Sequence, residues 1–344
     1  MTTKAKFKKK NILILGGAGF LGSHLCEELV KENQVICIDN FLSSSVENIR
    51  FLLQNPNFVF IKHNISEPLD FGKSPELAKF SVKVQGIQEV YNLACPTSVK
   101  NFDNYVIETI LANSVGVKNV LDLVMKYDAE FLHLSSAVVY GPRREDNYFF
   151  KEDEWGSVKT LSPRACYDEG KRFAEAMINT YALYHKKKFK IARIFRTYGP
   201  RMMLNDGQMI PDFILNALDG RDLVIYGDKN LTTTLCYVDD IVQGLIKFMG
   251  STLDGPLNLG SEEIVSLVDV AKEIIKLTNS SSKIVFKPPL LFMSPLGLPN
   301  IAKARNQLGW FPLINPTDGF KKTLEYTLAH KQLLDTQFNN TLDK

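Results

Sequence analysis

Gly16-Gly17-Ala18-Gly19-Phe20-Leu21-Gly22 is the stretch on which the reading of this chain turns. It follows Asn11–Leu15 (NILIL), a short apolar run with the character of a buried parallel strand. It opens Phe20–Lys31, where Leu21, Leu25, Leu29 and Val30 fall at helical spacing. Strand, glycine turn and helix in that order aim free backbone N–H groups and the positive end of the helix dipole at one point, which suits a pyrophosphate. Gly16 permits the tight turn, Gly19 lets the backbone approach the phosphates, and Gly22 lets the helix pack on the sheet. A second apolar run, Gln34–Ile38, leads into Asp39, about 20 residues past the loop, where the dinucleotide fingerprint places its acid. A carboxylate there accepts hydrogen bonds from both hydroxyls of an adenosine ribose and repels a 2′-phosphate. The pattern therefore predicts NAD rather than NADP.

Outward from the loop, apolar runs recur at Phe58–Ile61, Glu89–Leu93, Glu130–Leu134 and Phe189–Phe195, separated by segments of helical length such as Thr109–Lys126. Alternation of this kind predicts an α/β fold with a Rossmann-type doubly wound parallel sheet. Beyond about Gly199 the pattern loosens. A short strand at Leu223–Tyr226, a helix at Ser266–Leu277 and the crowded prolines 288, 289, 295 and 299 predict a smaller mixed α/β C-terminal substrate domain. The expected division is a cofactor domain over 10–198, with part of 236–262 returning to it, a substrate domain over 199–330, and tails at 1–9 and 331–344.

Composition narrows the function classes. The 344 residues carry 41 Lys and Arg against 38 Asp and Glu, a net charge of +3, so there is no basic field suited to a nucleic-acid backbone. An apolar share of 45% and a charged share of 23% exclude a disordered or fibrous chain. No apolar run reaches the roughly 18 residues of a membrane span, and the lysine-rich start, MTTKAKFKKK, lacks the apolar core of a secretory signal. The five cysteines are scattered without a C-x-x-C pair, which suits neither a disulfide framework nor a zinc site and predicts a reducing, cytoplasmic compartment.

Tyr167-Asp168-Glu169-Gly170-Lys171 heads a helical run, so the phenol and the ammonium four residues on share one helix face. A free Tyr, with a pKa of about 10, is no base at neutral pH. Two nearby cations, Lys171 and a nicotinamide, would have to lower it by about 3 units, roughly 4 kcal/mol. The phenolate would then take a proton from a substrate hydroxyl as hydride passes to the cofactor. Ser136, closing a strand earlier in the chain, offers a hydroxyl to the same substrate oxygen.

These residues, with YNLACPTS, EDEWG, SPRACYDEGKR, RIFRTYGPRM, NDGQMIPDFILNAL, YVDDIVQGL, LNLGSEE and LGWFP, carry a family resemblance from about Lys10 to about Tyr326. The chain resembles the extended short-chain dehydrogenase/reductases of the NAD-dependent nucleotide-sugar epimerase/dehydratase family, and most of all their UDP-glucuronate decarboxylase branch. The resemblance implies an enzyme holding NAD tightly and oxidising a sugar at C4 to a ketone, with Ser136, Tyr167 and Lys171 as the hydride-step residues. It implies cofactor contacts at Gly16, Gly19, Phe20, Leu21, Gly22, Asp39, Asn40, Asn64, Ile65, Leu93, Ala94, Tyr167 and Lys171. It implies nucleotide-sugar contacts at Pro96, Ser98, Arg164, Arg196, Arg201, Thr233 and Tyr237, no metal, and a homodimer built from the helix after Asn104 and the helix bearing Tyr167.

Departures from the family pattern bear on the reaction. Val138 stands where the decarboxylases have Glu, and Ala137-Val138 where the 4,6-dehydratases have Asp-Glu. Neither residue moves a proton, which disfavours dehydration. The family's Arg near the YV motif is Thr233, and its Asn after R-I-F is Arg196. Its basic residue before P-D-I falls within Leu296–Asn300 (LGLPN). Thr cannot replace the planar fork of an arginine, so Arg196 is a candidate for part of the anion clamp. The expected reaction is C4 oxidation followed by epimerisation or decarboxylation. The alternatives are a plain 4-dehydrogenase, a 4,6-dehydratase and a non-catalytic NAD-binding regulatory subunit.

Overall fold

A computed structural model describes residues 9–69, 71, 74–97, 104–144, 148–204, 206–289 and 296–342, with side chains as far as residue 331. In chain order the elements that build the site are β1 (Asn11–Leu15), α1 (Phe20–Leu29), β2 (Gln34–Asp39), β3 (Phe58–Lys62), β4 (Glu89–Asn92), α2 (Val106–Leu111), α3 (Val117–Tyr127), β5 (Glu130–Ser136), α4 (Ala165–His185) and β6 (Lys190–Ile194). The second half adds α5 (Met209–Leu218), β7 (Leu223–Tyr226), β8 (Thr232–Thr234), α6 (Val238–Met249), β9 (Gly255–Leu259), β10 (Ile264–Ser266), α7 (Leu267–Thr278), β11 (Ile284–Lys287) and α8 (Pro316–Leu342).

Seven strands form one parallel sheet in the order β9-β6-β5-β4-β1-β2-β3. The order reverses beside β1, which puts the crevice for a ligand at the carboxyl end of that strand, over the glycine loop. The strands are apolar on both faces because helices cover both. Leu13, Leu15, Ile36 and Ile38 pack on one side with Val117, Leu121, Val124 and Ile178 of α3 and α4. Ile12, Ile14, Val35 and Cys37 pack on the other with Leu25 of α1 and Leu245 of α6. Each such side chain withdrawn from water contributes roughly 1.5–3 kcal/mol, so the sheet is the rigid base of the molecule.

The second half is built around α5, α7 and the parallel pair β7–β11, with β8 antiparallel to β10. Its apolar residues Phe213, Leu223, Ile225 and Ile274 belong to the same core as α1 and α6, so the two halves share one apolar interior. The helix predicted over 109–126 runs from Val106 to Tyr127 but opens into a π-turn at Ala112–Gly116. There the Asn113 amide donates to the Thr109 carbonyl at 2.8 Å and to Cys95 Sγ at 3.1 Å. The final helix continues to Leu342. Among the described residues no helix is long and apolar enough to cross a membrane.

Candidate active site

The glycine loop sits between β1 and α1 as its sequence dictates. Gly16 has a φ of +77°, its N–H donates to the Ile38 carbonyl at 2.8 Å, and a Cβ on it would lie 2.8 Å from Ala94 Cα. A Cβ on Gly22 would stand 2.1 Å from the Gly16 carbonyl oxygen. Neither position admits a side chain, and the loop is left as bare backbone at the start of a helix whose first turn has no capping side chain. Asp39, at the end of β2, turns back to the loop. Its carboxylate accepts from the Ala18 N–H at 3.0 Å, the Phe41 N–H at 2.9 Å and the Ser44 hydroxyl at 2.7 Å.

One elongated pocket runs from Asp39 over the loop to the ends of β4 and β5. Gly16, Gly19, Phe20, Leu21, Gly22, Asp39, Asn40, Asn64, Ile65, Leu93 and Ala94 all line it, as do Pro96 and Arg201. A floor of backbone N–H groups, an acid at one end and apolar walls from Ile65 and Leu93 fit a dinucleotide lying across the sheet edge. The pocket also takes in Ser44, His63, Cys95, Met203 and Gln208, which the sequence reading passed over. Ser44 had a signal, the Leu42–Ser45 run just after the acid. His63 and Cys95 adjoin Asn64 and Ala94, which were expected there, whereas Met203 and Gln208 come from a distant segment.

At the inner end of the pocket, next to Leu134 and Cys95, stand the hydride-step residues. Tyr167 and Lys171 project from the first turns of α4 and are both buried. Lys171 Nζ donates to the Leu134 carbonyl at 2.8 Å and lies 6.0 Å from the centre of the Tyr167 ring. Ser136, the last residue of β5, hydrogen-bonds the phenol. Burial pushes the Tyr167 phenol above its ordinary range, the neighbouring Cys95 thiol adds to this, and the Ser136 hydrogen bond and the Arg164 charge oppose it. Burial likewise lowers the Lys171 ammonium, against the pull of Cys95 and Glu175. Without a nicotinamide beside them, desolvation is the larger influence on both groups. Val138 packs directly on Tyr167, with Cys95, Cys166 and Leu296 around them, so no acid or base stands at that position.

The nucleotide-sugar candidates divide into three groups. Pro96 and Arg201 face the cofactor pocket, and Arg201 pairs with Glu27 and covers the Phe51 ring at 4.8 Å. Arg164 and Arg196 do not line that pocket. Arg164 precedes α4 and bonds Asp168 at 3.2 Å. Arg196 follows β6, in electrostatic reach of Arg143 and Arg164. Thr233 and Tyr237 are buried, the first within β8, the second edge-on to Tyr198 at 5.7 Å. Ser98 lies outside the described residues. Arg143 was missed: its guanidinium reaches the Leu296 carbonyl at 2.6 Å, the Thr232 hydroxyl at 3.1 Å and the Thr232 carbonyl.

Behind the site a hydrogen-bonded block fixes the strand ends. Arg193 of β6 makes a two-pronged contact with Glu175 of α4 at 3.0 and 2.7 Å, and Ser135 donates to the same carboxylate at 2.6 Å. Arg193 also donates to the Tyr140 hydroxyl at 2.8 Å, which donates to Asn258 of β9 at 2.7 Å. Paired geometry of this kind holds Ser136 and Tyr167 in register.

The fold and this site define a nucleotide-sugar-modifying enzyme of the NAD-dependent epimerase and decarboxylase type. Residues 12–260 match the NAD dependent epimerase/dehydratase family, and the chain belongs to it. UDP-glucuronic acid decarboxylase 1 of Danio rerio is 37% identical over 333 residues, covering 96% of this chain and 75% of that one. Its namesake in Arabidopsis thaliana is 35% identical over 316 residues, covering 92% and 69%. Among solved structures, the UDP-glucuronic acid 4-epimerase of Bacillus cereus, in complex with UDP-glucuronic acid and NAD, superposes with a TM-score of 0.80 at 26% identity, covering 94% of this chain and 99% of its own. An epimerase of Methanothermobacter thermautotrophicus does so with a TM-score of 0.83 at 26% identity, covering 96% and 95%. The plain dehydrogenase, the dehydratase and the non-catalytic subunit are not favoured by these relatives.

Proposed function

We propose that the chain acts on UDP-glucuronate, oxidises its C4 hydroxyl to a ketone and releases carbon dioxide from the C5 carboxylate. The observation that carries this reading is the Ser136–Tyr167–Lys171 group at the inner end of the dinucleotide pocket. Bound in its oxidised form, NAD supplies the hydride acceptor and a positive charge that opposes the effect of burial on the phenol. Tyr167 takes the proton of the C4 hydroxyl, and the Ser136 hydroxyl holds the same oxygen. Lys171, tied to the Leu134 carbonyl, keeps a fixed charge under the phenol.

With C4 a ketone, the carboxylate on C5 is β to a carbonyl. The bond between C5 and the carboxylate carbon breaks, its electron pair moves toward the ketone oxygen, and carbon dioxide leaves without a base; C5 then takes a proton, and the C4 ketone would regain the hydride held on the cofactor as Tyr167 returns its proton to the C4 oxygen. Ala137 and Val138 are compatible with that step and unsuited to eliminating water. A second reading, 4-epimerisation of the same substrate, draws on the likeness to the Bacillus cereus enzyme and needs no extra acid or base either. Incubation with UDP-glucuronate and mass analysis separates them: decarboxylation lowers the mass by carbon dioxide, and epimerisation changes retention alone. If the nucleotide sugar is recovered unchanged with every cofactor loading, the reading is wrong.

A homodimer is part of this proposal. Ile107 and Ile110 of α2, Val115 of the π-turn and Phe173 of α4 are exposed on helices that pack side by side. Light scattering should report twice the chain mass, and Ile107→Asp with Phe173→Asp should halve it. The five unpaired cysteines support a reducing, cytoplasmic setting.

A further inference from the structure

We propose that Arg196, backed by Arg143 and Arg164, is the seat of the sugar carboxylate and selects a hexuronate over a neutral hexose. This rests on the reading that the chain oxidises a nucleotide sugar at C4. Strands β5 and β6 lie side by side with Ser136 opposite Ile194. Arg196, two residues past Ile194, therefore leaves the sheet beside the strand end that carries Ser136. Its backbone is anchored there. The Arg196 carbonyl accepts from the Cys236 N–H at 3.0 Å, and the buried Phe195 donates its N–H to Leu259 at 3.0 Å.

The other arginines nearby have carboxylate partners: Arg193 has Glu175, Arg201 has Glu27 and Arg164 has Asp168. Arg196 has no hydrogen-bond or carboxylate partner among the described residues. Its side chain is exposed to solvent. Desolvation there pushes its guanidinium below the usual range, and the like charges of Arg143 and Arg164 act in the same direction. Among the described residues Arg143 is held by neutral acceptors, Leu296 and Thr232. Three guanidiniums thus stand together, with Asp168 paired to Arg164, and their positive charge favours an anion.

Position decides which anion. Leu296, whose carbonyl binds Arg143, packs against the Val138–Tyr167 pair. Arg164 is close enough to act on the Tyr167 phenol. The C4 hydroxyl must meet Tyr167, and the carboxylate of a hexuronate hangs from C5, the next ring carbon. The diphosphate hangs from C1, across the ring. A planar guanidinium matches a carboxylate through two parallel hydrogen bonds, and Val138 offers no charge that would compete.

The test compares UDP-glucuronate, UDP-glucose and UDP, titrated by calorimetry into NAD-loaded protein carrying Tyr167→Phe to stop turnover. Adding Arg196→Gln should weaken UDP-glucuronate by about 10- to 100-fold and leave UDP-glucose and UDP unchanged. Arg196→Lys should recover part of the loss. An equal loss for all three ligands, or none for UDP-glucuronate, overturns the proposal. Turnover by the unmodified chain is read separately. Conversion of UDP-glucuronate with no effect of Arg196→Gln removes the carboxylate seat and keeps the C4 reading. Selective binding through Arg196 with no conversion of any UDP-sugar removes the C4 reading and keeps the seat.

Discussion

Lys171 reaches past Tyr167 to the backbone: its ammonium donates to the Leu134 carbonyl at 2.8 Å while standing 6.0 Å from the phenol ring. The helix supplies the four-residue spacing, but strand β5 supplies the partner that fixes the ammonium. Charge near the phenol is therefore set by the contact between sheet and helix rather than by α4 alone.

Tyr167→Phe should cut kcat by about 10²- to 10⁴-fold, the usual worth of a positioned acid or base, with UDP-glucuronate affinity little changed. Calorimetry beside steady-state kinetics checks the split. A parallel loss of affinity would mean that the phenol binds substrate rather than deprotonating it.

Asp39→Asn should narrow the preference for NAD over NADP by about tenfold, because removing a charge that hydrogen-bonds the ribose costs roughly 1.5 kcal/mol. Ala18 and Phe41 donate to different oxygens of Asp39, so the amide keeps one of these bonds and turns its NH2 toward the other donor, which also loosens the loop. Fluorescence titration with both cofactors measures the ratio, and an unaltered ratio would remove the ribose assignment.

Gly22→Ala places a Cβ where the Gly16 carbonyl already lies. That neighbour is backbone, so the helix start must move. A loss of about 1–3 kcal/mol in stability and of tight NAD binding is expected, read by urea melts and by cofactor retained through purification.

His24 sets an acid limit on stability. Burial first and the Arg201 charge second lower its pKa to about 4, against its Nε2–H donating to the Pro200 carbonyl at 3.0 Å, which works the other way. The unfolded chain binds a proton at His24 near pH 6.5, whereas the folded chain does not until about pH 4. Its contribution is thus complete above pH 6.5 and is lost as pH falls toward 4, up to about 3 kcal/mol. His24→Gln should flatten that limb in urea melts at pH 4 to 7.

Where a segment's neighbours in sequence are its neighbours in space, the chain was readable. The glycine loop, Asp39 and the strand ends at residues 93–94 reached the pocket as expected, because β1, β2 and β4 lie side by side and end at one edge. Leu223–Tyr226 was met residue for residue. Contacts between distant segments were not readable. Arg143 gave no local signal, since its partners Thr232 and Leu296 are 89 and 153 residues away. The π-turn at Ala112–Gly116 escaped a pattern reading because apolar spacing does not register one extra residue in a turn. The effect of burial on the Tyr167 phenol was not readable for a similar reason. Spacing shows which charge is near, but not how much protein surrounds it.

Strand β9 enters the sheet only after α5, β7, β8 and α6 have been made, and it lies alongside β6 at the margin. A fragment ending after Tyr198 would leave β6 with an open edge and strip the Asn258 partner from Tyr140. The nucleotide-binding portion is thus no detachable module. Attempts to express it alone should yield aggregates, and the ribosome must release nearly three quarters of the polypeptide before the sheet can close.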